Sequence, residues 1–187
     1  NIPFRFSKIN NYDAAKAKGD YLLFLNNDTQ VITADWIEGM VEQAQRPSIG
    51  AVGSTLLYPD NTIQHAGVIL GLCGTAGHLY NSFAAEYPGN FGELISINNY
   101  CAVTAACLMC RRAVFEQIGG FNEKLSVAYN DVDLCLKMME EGYRNVVLPH
   151  VRLYHYESKS RGYEDTDEKR ARLNKEAKIL ENKWGKF

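Results

Sequence analysis

No stretch of these 187 residues is apolar for long enough to cross a bilayer as a helix, and the first residues carry no signal-peptide pattern. No run of like charge stands out either. Lys and Arg number 20 against 22 Asp and Glu, a formal charge of −2, so the electrostatic footprint of a nucleic-acid binder is missing. The five cysteines are an odd count and do not read as a disulfide framework. Cys107 and Cys110 form one C-x-x-C, without the second pair that a zinc site needs. Their segment reads as a strand, on which residues three apart point to opposite faces and do not chelate together. All five cysteines read as small buried hydrophobes in a reducing compartment. Internal repeats and low-complexity linkers are absent. Also absent, ahead of Asn10, is the strand and ligand-binding turn with which a doubly wound domain opens. The chain is therefore expected to start partway through its fold, as a single partial domain over residues 1–187.

What is present fits one ordinary domain with a sizeable core. The chain is organised around residues 21–29, YLLFLNNDT. Its short apolar run predicts a central strand covered on both faces, and it stops on Asn26, Asn27 and Asp28. Ligands of open α/β sheets collect outside the carboxyl ends of strands, so a carboxylate leaving this strand is a candidate for holding a metal or a hydroxylated ligand. The same three residues also suit a plain turn. Before it, 1–6 reads as extended, and 10–18 as a helix stopped by Gly19. After it, 33–46 reads as an amphipathic helix capped by Thr33, burying Trp36, Ile37, Met40, Val41 and Ala44. Strands are predicted over 49–52 and 54–58, with a hairpin return over 62–70. Residues 71–92 read as a long aperiodic loop, either a lid or acceptor wall or an irregular excursion.

Further on, 100–111 reads as a buried strand and 112–118 as a short helix. Residues 130–141 predict a helix with Leu134, Cys135, Met138 and Met139 buried. Strands over 145–148 and 151–154 are separated by Pro149. The tail, 164–184, predicts a helix with Leu173, Ala177, Leu180 and Trp184 along one side. At the head of the 130–141 helix, Asn130 as N-cap and Asp133 at N3 make a variant capping box, a structural role. Asp133 can also pair with Lys137. Asp131, at N1, sits where the helix dipole favours an ionised carboxylate. It diverges from Asp133 on a regular helix, which leaves it free for chemistry. His155, ending a strand and followed by Glu157 and Arg161, is either a satisfied structural histidine or a ligand.

The order of these elements resembles the family 2 glycosyltransferases, inverting enzymes of the GT-A fold. The similarity rests on INNYDAAKAKGDYLLFLNNDT, IQHAGVIL, AGH at Ala76–His78, AVTAACLMCRR, VFEQIGGFNE, YNDVDLCLK and LYHYESKSRGYEDT, in that order along nearly the whole chain. It is similar above all to the branch of rhamnosyltransferase-like and polysaccharide-synthesising enzymes. The resemblance implies an α/β domain with a mixed sheet flanked by helices, shortened at its N-terminus. It sets the family's Asp-x-Asp motif on Asn26-Asn27-Asp28, with an amide in place of the first carboxylate. It sets the Glu-Asp pair, whose Asp is the catalytic base, on Asn130-Asp131, and the late metal-binding histidine on His155.

The mechanism so implied has Asp28 and His155 holding Mn²⁺ or Mg²⁺ with the diphosphate of a UDP- or dTDP-sugar. Asp131 deprotonates an acceptor hydroxyl of a saccharide or lipid-linked saccharide. Asn26 and Asn27 bond the ribose or water in the ion's shell, Arg161 reaches the diphosphate, and Thr104 lines the floor. The resemblance also implies a cytoplasmic protein, at the inner face of a membrane where the acceptor is lipid-linked. The family's first strands grip the base and ribose, so the present chain is expected to bind donors weakly and to turn over little. Micromolar binding of UDP- or dTDP-sugars with Mn²⁺ in calorimetry overturns that expectation. The sheet edge left unpaired is expected to favour a homodimer. The residues leave other classes open: a non-catalytic carbohydrate-binding or scaffold relative, and a sugar-nucleotide nucleotidyltransferase. A hydrolase on Asp28 and His155 finds no supporting His/Asp cluster.

Overall fold

The computed structural model describes residues 4–156 and 166–185. A mixed sheet runs in the order β1 (Tyr21–Leu25), β8 (Cys107–Arg111), β3 (Ile49–Leu57), β9 (Arg144–His155), β2 (Thr29–Val31). Strand β4 (Ile63–His65) adds to β3, and β7 (Asn98–Tyr100) adds to β9. Strands β3 and β9 are parallel, whereas β8 is antiparallel to both β1 and β3. A separate ribbon pairs β5 (Val68–Leu70) with β6 (Ala76–His78).

Helices cover both faces. Helix α2 (Trp36–Ala44) packs Met40 and Ala44 against Val52, Leu56, Met109, Leu148 and Leu153. Helices α1 (Phe6–Ala14), α3 (Arg112–Gln117), α4 (Asn130–Glu140) and α5 (Asp167–Trp184) share the other core with Leu22, Phe24, Ala51, Leu108 and Val147. Cys107 lies in the first of these cores and Cys110 in the second, as strand alternation requires. Burial pushes their thiols up, to about 11 and about 12, so both stay protonated at neutral pH.

Several boundaries differ from expectation. Strand β1 is not central: among the described residues it bonds β8 alone, and it buries only Leu22 and Phe24. An apolar run of this length fits an edge as well as a centre, because its neighbours come from distant chain. Helix α1 starts at Phe6, earlier than propensity suggests. The Phe6 N–H donates to the Ser126 carbonyl at 2.8 Å, and its ring meets Phe121 edge-on. Thr33 does not cap α2. Its hydroxyl donates to the His150 carbonyl at 2.9 Å instead, and Ile37 is exposed. The predicted strand at 100–111 shrinks to β8, with Tyr100 ending β7.

The two strands expected around Pro149 are one, β9. The pairing of β3 with β9 shifts register between Ser54, opposite Leu148, and Thr55, opposite Arg152. Proline is tolerated at such a bulge because no ladder bond needs its missing N–H. Residues 71–92 are partly ordered into β6 and short 3₁₀ turns. Gly67, at φ 122°, turns the chain from β4 into β5 under Tyr100. A Cβ there would lie 2.4 Å from that ring.

Candidate active site

Strands β1, β3 and β9 point the same way, so their carboxyl ends share one side of the sheet, where β8 begins. Residues 26–28 turn the chain from β1 into β2, which folds back on β9 with Thr29 opposite His155. Thr29 Oγ1 donates to the Asn26 carbonyl at 2.8 Å, and the Tyr156 N–H donates to the Asp28 carbonyl at 2.9 Å. These bonds set the Asp28 carboxylate 3.2 Å from His155 Nε2, with only 16% and 9% of the two side chains exposed. Asn26 Nδ2 lies 3.1 Å from the same nitrogen. Asn27 is exposed on the turn.

The other ring nitrogen decides the tautomer. His155 Nδ1 is 2.6 Å from Gln64 Oε1, while Gln64 Nε2 donates to the His155 carbonyl at 3.3 Å. Oε1 can only accept, so Nδ1 carries the proton and Nε2 of the neutral ring presents a lone pair. That lone pair accepts from Asn26 and also faces a carboxylate oxygen. Two electron-rich atoms at this distance call for a positive charge, either a second ring proton or a cation. A His whose far N–H is held by an amide or carbonyl oxygen is the arrangement metal sites use. The donor set fits a hard divalent ion with two protein ligands and oxygens from elsewhere. Among the described residues no group of three His, Cys, Asp or Glu completes such a site.

Asp131 stands at the head of α4, behind Tyr129 in the left-handed conformation at φ 59°. Its Oδ2 accepts from the Ala105 N–H at 3.1 Å, and its Oδ1 from the Val132 N–H at 2.9 Å. The Ala106 carbonyl accepts from the Asn26 N–H at 3.0 Å, and the Ala106 N–H donates to Thr104 Oγ1 at 3.4 Å. Asp131 and Asn26 are thus anchored on the same three residues, 104–106, ahead of β8. Asn26, Asp28 and His155 meet directly, and Asp131 and Thr104 join them through this segment. Arg161 and Glu157 lie outside the described residues.

The capping box does not form. Asn130 Nδ2 donates back to the Val127 carbonyl at 2.7 Å. Fully buried Asp133 accepts from Lys183 Nζ at 2.8 Å and Trp184 Nε1 at 2.9 Å, both on α5. Lys137 pairs with Asp133 as expected, at 4.0 Å, and also donates to the carbonyls of Ile118 and Gly120. Asp133 is structural, but through a helix 50 residues on. Met139 is exposed, and Val132 and Leu136 are buried in its stead.

Sequence reading missed Gln64, His65 and His78. Thr104 donates its N–H to Nε2 of wholly buried His65 at 3.3 Å. The His65 proton therefore sits on Nδ1, which donates to His78 Nδ1 at 2.9 Å. Burial, then the nearness of His78 and His155, holds the His65 pKa well below the ordinary histidine value. Both histidines lie inside motifs noted above, but a histidine on a short strand has no spacing that reveals its partner.

A profile described as glycosyl transferase family 2 matches residues 5–119. The chain belongs to glycosyl transferase family 2. This family 2 chain is 49% identical over 183 residues to the uncharacterised protein y4gI of Sinorhizobium fredii, covering 97% of itself and 20% of that protein. It is 45% identical over 160 residues to the O-antigen biosynthesis protein RfbC of Myxococcus xanthus, covering 85% and 12%. It is 27% identical over 152 residues to the N-acetylglucosaminyl-diphospho-decaprenol L-rhamnosyltransferase of Mycobacterium tuberculosis, covering 76% and 49%. It thus spans half or less of each of these relatives. The fold is that of the GT-A glycosyltransferases. The mannosyltransferase PcManGT of Pyrobaculum calidifontis, solved with GDP-Man and Mn²⁺, superposes with a TM-score of 0.58 at 19% identity, over 93% of this chain and 43% of the other.

Proposed function

We propose that this family 2 domain catalyses inverting, metal-dependent transfer of a sugar from a nucleoside-diphosphate donor to a hydroxyl acceptor in polysaccharide or glycoconjugate synthesis. The observation that carries the reading is the Asp28–His155 pair, 3.2 Å apart with the ring's other proton committed to Gln64. Asp28 and His155 would hold Mn²⁺ or Mg²⁺, which when bound supplies Lewis-acid neutralisation of charge on the leaving diphosphate. Asn26 and Asn27 orient the donor's ribose, and Thr104 floors the site. Asp131 takes the proton from the acceptor oxygen as that oxygen bonds the anomeric carbon from the face opposite the leaving group, which inverts the configuration. Its two backbone hydrogen bonds use two of about four lone-pair positions of a carboxylate, so acceptance capacity remains.

The donor class is a UDP- or dTDP-sugar, and the acceptor a saccharide or lipid-linked saccharide. The names of the Myxococcus and Mycobacterium relatives support the acceptor class. Arg161 is assigned to the diphosphate on the family resemblance. The setting is the cytoplasm, at the inner face of the membrane where the acceptor is lipid-linked. Among the described residues no helix is long and apolar enough to cross it. Two copies pair through the outer edge of β1. A monomer in light scattering rejects that last part.

The deciding experiment titrates donor into the chain with Mn²⁺ and with chelator, then repeats it for Asp28→Ala and His155→Ala. Metal-dependent binding that both substitutions abolish is expected. Binding indifferent to metal and to both side chains overturns the reading.

A further inference from the structure

Residues 126–130 deliver Asp131, and the carbonyls of Ser126 and Val127 already accept from the Phe6 N–H and from Asn130 Nδ2. Tyr129 occupies the left-handed region, uncommon for a bulky residue, and as N-cap its own side chain makes no capping bond to the helix that follows. Yet one side chain from far along the sequence grips the turn. Glu176, in the middle of α5, is 2% exposed. Its Oε1 accepts from the Ser126 N–H at 2.8 Å, and its Oε2 from Val127 at 3.3 Å and from Ala128. Three successive N–H groups thus converge on one buried carboxylate. Near its end, α5 is anchored again, by Lys183 and Trp184 on Asp133, two residues beyond Asp131. Leu180, wholly buried, fills the gap between the two anchors.

We infer that Glu176 is a positioning residue for the transfer reaction: it fixes the 126–130 turn and thereby aims the Asp131 carboxylate at the acceptor hydroxyl. This rests on the reading of Asp131 as the base. Burying a carboxylate is costly unless hydrogen bonds replace its water, and a purely apolar residue here would fill the space without that cost. The carboxylate earns its place by satisfying N–H groups that a turn of this shape leaves without helical partners. An amide at 176 would turn an NH₂ group toward at least one of those N–H groups and release part of the turn. A displacement of about 1 Å at a reacting group costs up to about 100-fold in rate.

The test uses the full-length protein that carries this domain, with Glu176→Gln, Glu176→Asp and, as a control, Met40→Ala on the opposite face of the sheet. Expected for Glu176→Gln is a fall in kcat of about 10- to 100-fold, with the donor KM changed less than about twofold. Hydrogen exchange should quicken at amides 126–128. Glu176→Asp, which keeps the charge, should recover part of the rate. Met40→Ala should lower Tm while kcat holds. An unchanged kcat in Glu176→Gln, or an equal loss in Met40→Ala, overturns the inference. Asp131→Asn separates it from its premise. If that variant transfers at the original rate, the base is elsewhere and both fall. If it is inactive while Glu176→Gln is not, only the positioning role falls.

Discussion

Asp131 accepts backbone N–H bonds from both sides of its carboxylate, from the 104–106 segment and from its own helix, so an amide keeps one acceptor in place while losing the basic oxygen. Asp131→Asn should therefore stay folded and lose about 10²- to 10⁴-fold in kcat, the usual contribution of a positioned base, measured as transfer to a saccharide acceptor. Gln64 acts at one remove. Its Oε1 holds the His155 proton on Nδ1 and so keeps the Nε2 lone pair facing Asn26 and Asp28. Gln64→Leu should raise the Mn²⁺ concentration for half-maximal donor binding by about 10- to 100-fold, as loss of such supporting contacts generally does. A Mn²⁺ titration that superposes on the parent curve contradicts the tautomer assignment. These residues differ in how visible they were. Asp28 and Asp131 stand out because each carboxylate marks an element boundary. Gln64 and His65 stand inside a short strand, and nothing local says what they will face.

At the scale of elements, the turns decide more than the regular stretches do. Gly67 lets β5 peel away from β4, and the Tyr100 ring lies over the position a Cβ would take. Gly67→Ala therefore combines a positive φ with a clash and should cost about 1–3 kcal/mol, read from chemical denaturation at constant m-value. Helix positions were legible where burial follows the 3.6-residue period, as at Met40 and Ala44 of α2 or Leu134 and Met138 of α4. They were misread where a tertiary bond took over an end: Thr33 joins β9 instead of capping α2, and Phe6 draws α1 back toward Ser126. The bulge at Pro149 escaped notice for the same reason, since a single sequence does not show that β3 supplies a partner with an offset register.

Across the whole molecule, Gln64, His65 and His155 are buried together near the carboxyl ends of β3 and β9, and that has a consequence for stability. His65 is wholly buried, and burial keeps its pKa in the folded chain well below the unfolded value of about 6.5. Below that pH the unfolded chain takes up a proton that the native state refuses, so stability present above about 6.5 is lost as the pH falls. The slope contributed by one such group is at most about 1.4 kcal/mol per pH unit. Denaturation midpoints should drop between about pH 6.5 and 5 in the parent and drop less in His65→Gln. Parallel profiles refute this. What could be read from the chain alone was the order of most helices and strands and the candidate carboxylates and histidine, because these depend on local periodicity and on polar residues at the ends of apolar runs, and the family, because a series of motifs resembles it in order. What waited for the tertiary structure was every partnership across the sequence: β1 at the sheet edge, Gln64 behind His155, Thr104 on His65, and Glu176 gripping the turn before Asp131. Those pairings join residues 39 to 91 positions apart or set the neighbours of a strand, and no local propensity encodes a contact whose other half lies in a different element.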